Sequence, residues 1–436
     1  MNYKEARVYL DDLSKYGSVL GLESMNALLA RIGSPQNNLK YIHIAGTNGK
    51  GSVLAYLSTV LSGAGYRTGS YLSPTLFSYR ERIQVNGASI DRSSLARLVT
   101  QIAEACRSMT ACGMAHPTAF EVETALAFLY FKEQGCQLVV LEAGLGGALD
   151  ATNVIPAPVL SILTSISMDH TAFLGDTLSA IAAQKCGIIK PGSRVVSAAQ
   201  PAEAAAVIGQ ACREKGCPLT VLSEGEISDV RYGLSSQQFS FREWKDISIS
   251  LAGNYQIPNA ALALLAATEL SLCGFPLTES QIRTGLRTAS WPGRFTVLRT
   301  HPAVILDGAH NPAAAKTLRD SLLTNLKGAR FYYIFGVFRD KDYPSIISLT
   351  APYAEKIFTI QTPGNPRALP ADELCQAVKQ VNPSACAAAS IQDALKSCLR
   401  LAGAKDAIVI FGSLSFLAEA GRALEALGAA GRQINM

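Results

Sequence analysis

The chain has 436 residues, 48% of them hydrophobic and 17% charged, a balance typical of a globular protein with more than one domain rather than of a disordered one. Its net charge of +5 includes no lysine- or arginine-rich run, so the composition gives no indication of nucleic-acid binding. No apolar run is long enough to cross a bilayer, the N-terminal residues show no signal region, and the ten cysteines are scattered as reduced thiols are, so we expect a cytoplasmic protein without a membrane partner.

The first two thirds of the chain alternate β-rich and helix-periodic segments. Strands are predicted at residues 41–45, 68–71, 138–142 and 159–166, and helices at 53–64, 92–111, 119–134 and 177–186. This alternation predicts a mostly parallel sheet with helices on both faces. Residues 238–251 differ, because apolar and polar residues alternate there as in half-exposed antiparallel strands.

The alternation restarts after a turn at residues 291–294. Strands are predicted at 304–306, 331–336, 356–360 and 407–411, and helices at 313–325, 371–379, 391–401 and 414–427. The predicted fold class is therefore α/β, with an N-terminal, mostly parallel P-loop-type sheet domain and a smaller C-terminal doubly wound α/β domain. We place the N-terminal domain at residues 1–295 and the Rossmann-like C-terminal domain at residues 296–436.

A glycine-rich loop after the first predicted strand carries one lysine and one serine: residues 45–52 read Ala-Gly-Thr-Asn-Gly-Lys-Gly-Ser. A strand, such a loop and a helix N-terminus form a phosphate cradle, because the loop amides and the helix dipole face the anion. Lys50 adds a charge and Ser52 a hydroxyl for magnesium. Ile44 stands where the common P-loop has its first glycine, and Gly51 separates the lysine from the serine. A glycine turn without a ligand is the alternative, but the spacing favours a nucleoside triphosphate.

Two polar side chains farther along, Glu142 and His170, could join this site, and Asp150 and Lys185 have simpler explanations. Glu142 ends a buried strand, where a carboxylate is unfavourable unless it is paired or binds a metal, so it is our first magnesium-ligand candidate; it could instead cap a neighbouring helix. Asp150 lies in an Asp-x-Thr-Asn turn and could serve only its own backbone. His170 follows a strand end and could bind a second cation or be structural. Lys185, taken alone, is a helix-end lysine that faces solvent.

Several segments resemble the Mur ligase superfamily in order and spacing, namely residues 45–52, 142–153, 168–170 and 185–190. Within that superfamily the chain resembles the folylpolyglutamate synthases, which are often also dihydrofolate synthases. Ser73-Pro74, followed by Glu81-Arg82-Ile83, resembles the substrate loop of that family. Later matches are Gly253-Asn254-Tyr255-Gln256, Asn259, Trp291-Pro292-Gly293-Arg294 and Asp307-Gly308-Ala309-His310-Asn311-Pro312.

The resemblance implies an ATP-binding Mur-ligase-like domain with a folate-binding loop, followed by a glutamate-ligase domain. It implies two magnesium sites and a lysine, Lys185, that reacts with carbon dioxide to become a carbamate. The implied catalytic residues are Lys50, Glu142, His170 and Lys185. The implied ATP-binding residues are Gly46, Thr47, Asn48, Gly49, Lys50, Gly51, Ser52, Asn259, Arg294 and Asp307. The implied substrate-binding residues are Ser73, Arg82, Asp150 and His310. The implied magnesium ligands are Ser52, Ser73, Glu142, His170 and carbamylated Lys185.

The activity that this resemblance implies is ATP-dependent addition of L-glutamate to reduced folates through an acyl phosphate, together with conversion of dihydropteroate to dihydrofolate. We expect small-molecule substrates and a monomer. The alternatives are a chain that is mainly a dihydrofolate synthase, another Mur-type amide ligase, or a P-loop regulatory ATPase. Thr75, Ala148 and Gln184 depart from the common family pattern, and they bear on substrate preference rather than on ATP chemistry.

Overall fold

The structure, a computed structural model, describes residues 1–17 and 19–428 of the chain. The strands of this part are β1 (Tyr41–Ala45), β2 (Thr68–Tyr71), β3 (Ile83–Val85), β4 (Ala88–Ser89), β5 (Leu138–Glu142), β6 (Leu160–Leu163), β7 (Arg194–Ser197), β8 (Leu219–Val221), β9 (Ile227–Arg231), β10 (Gln237–Phe241), β11 (Trp244–Ile249), β12 (Thr296–Thr300), β13 (Ala303–Leu306), β14 (Phe331–Phe335), β15 (Ala354–Thr359), β16 (Cys386–Ala387) and β17 (Ala407–Phe411).

The α-helices of the same part of the chain are α1 (Tyr3–Asp12), α2 (Glu23–Arg31), α3 (Lys50–Gly63), α4 (Arg92–Ala111), α5 (Ala119–Glu133), α6 (Thr171–Leu174), α7 (Leu178–Lys185), α8 (Ala202–Glu214), α9 (Gln256–Leu272), α10 (Glu279–Thr288), α11 (Pro312–Asn325), α12 (Tyr343–Thr350), α13 (Ala371–Lys379), α14 (Ile391–Leu401) and α15 (Leu417–Ala426). Over the described ranges, none of these helices has the length and apolar character that crossing a membrane requires.

Contacts within the chain divide it into two units. The first comprises residues 1–226 and 259–288, and the second comprises residues 227–258 and the chain from residue 289 onward. Our division at residues 295 and 296 stays a prediction, and it differs from this grouping because residues 227–258 and 289–295 group with the C-terminal segment.

The first unit is built on an eight-stranded sheet in the order β4-β3-β2-β5-β1-β6-β7-β8. The strands from β2 to β8 in that order are parallel, and β3 and β4 are antiparallel. Every residue of β1 and β5 is buried, as expected for central parallel strands covered on both faces. The predicted α/β class is confirmed. Because β2, β5, β1 and β6 are neighbours, the chain segments that follow them lie at one edge of the sheet.

The strand predicted at residues 159–166 is shorter than expected. β6 spans Leu160–Leu163, and beyond it Ser165 forms an antiparallel bridge with Asn48. The chain leaves the parallel register there because it turns to pair with the glycine-rich loop.

The second unit contains two sheets. β9, β10 and β11 form the antiparallel sheet that the alternation in residues 238–251 predicts. The other sheet has six strands in the order β12-β13-β17-β14-β15-β16, all parallel except β12. Its core includes the stacked rings of Phe335 and Phe411, whose centroids are 4.9 Å apart. The predicted doubly wound arrangement is confirmed.

Candidate active site

The glycine-rich loop after β1 has two positions that only glycine fits. Gly46 has φ 154° and Gly49 has φ 91°. A Cβ on Gly46 would clash with Thr164 Oγ1, and one on Gly49 would lie 2.5 Å from Asn259 Oδ1. The helix α3 begins at Lys50, directly after this loop. The structure therefore has the strand–loop–helix arrangement that cradles phosphates.

Two lysines converge on one backbone oxygen of the loop. Lys50 Nζ donates to the carbonyls of Gly46 at 3.0 Å and Thr47 at 3.2 Å, and Lys185 Nζ donates to the Gly46 carbonyl at 2.9 Å. Lys185 is only 4% exposed, so its interpretation as a solvent-facing lysine is wrong. Burial, together with the charge of Lys50, lowers the pKa of Lys185 to about 7, although Asp169 and Asp150 oppose the shift. The lowered pKa favours the neutral amine more than in an exposed lysine.

The segment after β6 contacts the phosphate loop. The Thr47 N–H donates to the Ser165 carbonyl at 2.8 Å, and the Thr47 hydroxyl donates to the Ser167 carbonyl at 3.0 Å. This segment leads directly to Asp169 and His170. His170 has φ 52° and a side chain that is 43% exposed, with its Nε2 3.9 Å from Asp169 Oδ1. His170 therefore follows, by three residues, a segment that is hydrogen-bonded to the phosphate loop.

The predicted magnesium ligands Glu142 and Ser52 lie at the same sheet edge. Glu142 ends β5 and pairs in register with Ile44, two residues before the loop glycine. Glu142 and Ser52 are both buried, and Ser73 follows β2, the other neighbour of β5. Carboxylate and hydroxyl oxygens suit magnesium. In the described residues, no group of three or more histidine, cysteine, aspartate or glutamate side chains could hold a metal.

Asp150 organises the second glycine-rich segment, residues 142–153. Its carboxylate accepts hydrogen bonds from the N–H of Leu145 at 2.7 Å, from the N–H of Thr152 at 3.0 Å and from the Thr152 hydroxyl. Burial raises its pKa above the ordinary value. The alternative that Asp150 serves its own backbone agrees with these contacts, and its role in substrate binding stays a prediction. The Thr152 hydroxyl also lies 2.9 Å from Nε2 of buried His43 in β1.

The same segment packs against the end of α7 without intervening side chains. A Cβ on Gly147 would lie 2.8 Å from the carbonyl oxygens of Gln184 and Lys185, and one on Gly187 would clash with the backbone of Ala148. The Ala148 N–H donates to the Gln184 carbonyl at 2.7 Å. This close packing fixes the Lys185 backbone relative to the carboxyl end of β5.

The predicted folate-binding loop after β2 is held by a buried ion pair. Arg82 contacts Glu123 of α5 at 2.8 Å, and the two side chains are 13% and 11% exposed. Earlier in the loop, the Glu81 carboxylate accepts the N–H groups of Leu76, Phe77 and Ser78 at 3.1, 3.1 and 2.7 Å. The contact of Arg82 with substrate stays a prediction, because its guanidinium already has this intramolecular partner.

The predicted residues of the second unit cluster after β13. Asp307 is 3% exposed and accepts the Tyr255 hydroxyl at 2.6 Å, the Phe295 N–H at 2.9 Å and the Ala309 N–H at 2.8 Å. Burial raises its pKa, while these hydrogen bonds and the charge of Arg294 oppose the shift. A carboxylate held by three donors is a rigid acceptor.

Arg294 and His310 border this acceptor. Arg294 Nη1 donates to the Gly293 carbonyl at 3.2 Å and lies where a Cβ on Gly308 would clash with it. His310 Nδ1 lies 2.7 Å from the Gly308 carbonyl. The predicted residues of each unit are therefore brought together within that unit: Asn259 with the phosphate loop in the first, and Arg294, Asp307 and His310 in the second.

Three contributors were not assigned roles from the sequence. Glu123 lies in an apolar helix pattern and His43 in an apolar strand pattern. A polar residue in such a pattern indicates a buried hydrogen bond or ion pair, but the spacing of residues in the sequence does not identify the partner. Tyr255 belongs to a family motif, yet its bond to Asp307 depends on the fold, since 52 residues separate the two. All three position other groups through hydrogen bonds or an ion pair.

The chain is similar to known proteins over almost its whole length. Residues 44–267 match the Mur ligase middle domain, and residues 293–414 match the Mur ligase glutamate ligase domain. A dihydrofolate synthase/folylpolyglutamate synthase of Bacillus subtilis is 35% identical over 96% of this chain and 98% of its own length.

Solved structures agree as well. The crystal structure of folylpolyglutamate synthase from Thermotoga maritima superposes with a TM-score of 0.83 at 32% identity, covering 98% of this chain and 97% of that one. Mycobacterium tuberculosis folylpolyglutamate synthase complexed with ADP superposes with a TM-score of 0.88 at 28% identity, covering 99% of this chain and 100% of that one.

Proposed function

Since this chain belongs to the dihydrofolate synthase/folylpolyglutamate synthase family of Mur ligases, we propose that it is an ATP-dependent ligase that joins L-glutamate to a folate carboxylate. The observation that carries the proposal is the convergence of Lys50 and Lys185 on the Gly46 carbonyl, at the sheet edge where buried Glu142 ends its strand. A phosphate loop with two amines and a carboxylate beside it suits transfer of a phosphoryl group to a carboxylate.

The proposed reaction has two steps. The substrate carboxylate attacks the γ-phosphorus of ATP, which gives an acyl phosphate and ADP. The amine of glutamate then attacks the acyl carbon, and the tetrahedral intermediate expels phosphate with loss of a proton. Lys50 and the loop amides bind the phosphates and offset the charge that develops during transfer. Asp307, with Arg294 and His310, would bind the nucleotide or the incoming amino acid. Placement of the reactants would supply most of the acceleration.

Magnesium would be held by Ser52 and Glu142, with Ser73 near them, and a second ion by His170 and Lys185. Bound magnesium supplies charge neutralisation at the phosphates. Lys185 would contribute oxygens after its neutral amine adds to carbon dioxide, forming an N–C bond and releasing a proton. Its burial and its lowered pKa, about 7, support this modification, because the neutral amine is the reactive form.

Dihydropteroate is proposed as a second acceptor, since the chemistry is the same and only the pterin substrate differs. The test is ADP release by purified protein with ATP, magnesium and glutamate, comparing tetrahydrofolate, dihydropteroate and no pterin. Turnover with tetrahydrofolate supports polyglutamylation, and turnover with dihydropteroate supports dihydrofolate synthesis. ADP release that is indifferent to glutamate would overturn the ligase proposal and favour a regulatory ATPase. Turnover only with a nucleotide-linked muramyl acceptor would favour another Mur-type ligase.

The cellular location and assembly state are further parts of the proposal. We expect the protein in the cytoplasm and as a monomer, acting on small molecules without a nucleic-acid or membrane partner. Cell fractionation and light scattering at micromolar concentration test the first two expectations.

A further inference from the structure

We propose that His43 is a positioning residue for the Asp150 carboxylate, acting through the hydroxyl of Thr152, and this inference rests on the proposed function. His43 lies in β1, three residues before Gly46 of the phosphate loop, and Nε2 of its imidazole lies 2.9 Å from Thr152 Oγ1. The Thr152 hydroxyl in turn donates to Asp150. A chain of hydrogen bonds therefore runs from the strand of the phosphate loop to a carboxylate that is predicted to bind substrate.

The contacts of Asp150 fix the direction of this chain. One carboxylate oxygen accepts the Thr152 N–H at 3.0 Å together with the Thr152 hydroxyl, and the other accepts the Leu145 N–H at 2.7 Å. An ionised carboxylate only accepts hydrogen bonds, and a hydroxyl has one proton to donate. Since the hydroxyl proton of Thr152 goes to Asp150, the hydroxyl oxygen accepts a hydrogen bond from His43. The neutral imidazole therefore carries its proton on Nε2.

The other imidazole nitrogen, Nδ1 of His43, has no hydrogen-bond partner among the described residues. The side chain is fully buried, and burial together with the charge of Lys190 lowers its pKa to about 3, so the ring stays neutral. A buried acceptor without a partner costs free energy. An apolar residue, such as the neighbouring Ile42 or Ile44, fills a buried strand position without this cost. The packing of β1 therefore gives no reason for a histidine, whereas the hydrogen bond to Thr152 does.

The chain of hydrogen bonds acts on the loop of residues 145–150, which follows β5. The bond from the Leu145 N–H to Asp150 closes this loop. The loop also contacts the end of α7, where the Ala148 N–H donates to a backbone carbonyl at 2.7 Å. A hydroxyl can rotate, and a donor on its oxygen selects the orientation in which its proton points to the carboxylate. His43 thereby holds Asp150 in one orientation at the carboxyl end of the parallel strands.

The kinetic test compares His43→Leu, His43→Gln and Thr152→Val in the full chain, with KM and kcat measured for tetrahydrofolate, ATP and glutamate. Leucine removes the donor and valine removes the hydroxyl, whereas the amide of glutamine supplies an N–H near the position of Nε2. Ser161→Ala is the matched control. Ser161 of β6 is paired in register with His43 and is as fully buried, and its hydroxyl donates to the Ile188 carbonyl at 3.1 Å rather than to the chain that ends at Asp150.

We expect His43→Leu and Thr152→Val each to raise KM for tetrahydrofolate about fivefold, and the double variant to raise it no further, because both changes break the same chain. The kcat value and the KM for ATP and for glutamate should change less than about twofold. His43→Gln and Ser161→Ala should keep KM for tetrahydrofolate within about twofold of the unmodified chain. An unchanged KM in His43→Leu, or an equal rise in His43→Gln or Ser161→Ala, would overturn the proposal.

A second measurement does not depend on activity. In protein with isotope-labelled histidines, of which the chain has five, nitrogen NMR should show His43 with a proton on Nε2 and none on Nδ1 from about pH 5 to about pH 8, and the signal should be missing from His43→Gln. A proton on Nδ1, or a charged ring in this range, would overturn the proposal. Absence of glutamate-dependent turnover in the unmodified chain would instead overturn the proposed function, while the histidine signals still test the hydrogen bonds, so the two failures are distinguishable.

Discussion

Replacing Lys185 with methionine should stabilise the ligand-free protein while removing its activity. The lysine is 4% exposed, and burial with the nearby charge of Lys50 lowers its pKa from 10.5 to about 7. In the unfolded chain the amine stays protonated up to about pH 10. Over the whole physiological range, folding must therefore either release the proton of this amine or bury the charged amine. Methionine has a similar volume and no charge, and the Gly46 carbonyl keeps its bond from Lys50.

The magnitude follows from the two pKa values. The difference between 10.5 and about 7 disfavours the charged form by about 5 kcal/mol, at ~1.4 kcal/mol for each pH unit. This cost is fully present below pH 7 and is relieved as the pH rises from about 7 towards 10.5, because the unfolded chain binds more protons than the folded one over that window. The lost hydrogen bond of Lys185 offsets about 1 kcal/mol. We therefore expect a gain of about 3–4 kcal/mol at pH 6 and about 1 kcal/mol at pH 9.

The assay must report on the first unit. Trp244 and Trp291, the two tryptophans, belong to the second unit, so intrinsic fluorescence would report unfolding of the second unit rather than of the first. Hydrogen exchange of peptides from β1 and β5, measured by mass spectrometry in buffer depleted of carbon dioxide, gives the opening free energy of the first unit. Lys132→Met is the control, an exposed lysine in the same unit. Equal stability of the Lys185 variant and the unmodified chain at pH 6, or a gain that grows towards pH 9, would refute the reasoning.

Four further changes test other parts of the site. Gly49→Ala should raise KM for ATP at least tenfold, since φ is 91° and the added Cβ would lie 2.5 Å from a side-chain oxygen; a KM within twofold of the unmodified chain would contradict this. Asp307→Asn should destabilise the second unit by about 1–3 kcal/mol, as measured by tryptophan fluorescence during unfolding in urea. One of the two carboxylate oxygens becomes an NH2 group, which cannot accept the hydrogen bond that Tyr255 or Ala309 donates to that oxygen. Glu123→Gln should lower stability by about 3 kcal/mol and raise KM for the folate but not for ATP, because it breaks the buried pair with Arg82. Removing magnesium with EDTA should abolish ADP release, and excess magnesium should restore it; ADP release at the same rate without the metal would exclude it from the reaction.

The sequence predicts best where structure depends on neighbouring residues. The phosphate loop is such a case, because its strand, its glycines and its helix lie within about two dozen residues, and the structure shows the predicted order of strand, loop and helix. Lys185 is the opposite case. A helix-end position favours exposure, whereas the amine is buried and donates to the Gly46 carbonyl, 139 residues away in the chain. Local pattern contains no signal for such a contact, and only the family resemblance indicated a site there.

The ion pair between Arg82 and Glu123 is a similar case. Each residue lies in a segment whose own pattern is explained without the other, a substrate loop and an apolar helix. The pair forms because β2 and α5 are brought together by the sheet order, in which β2 lies beside β5 rather than beside β1. Strand order follows from packing of the whole unit, and it is not encoded in the spacing of any one segment.

The close packing of residues 147 and 148 against residues 184–187 limits which insertions and substitutions the chain can accept during evolution. Backbone meets backbone there, so neither segment has a flexible side chain that could absorb an insertion or a larger residue. A one-residue insertion between Glu142 and Asp150 would shift the Lys185 amine away from Gly46. Length variation should therefore be selected against within the two packed segments, and a deep insertion library scored for folate-dependent growth would show this directly.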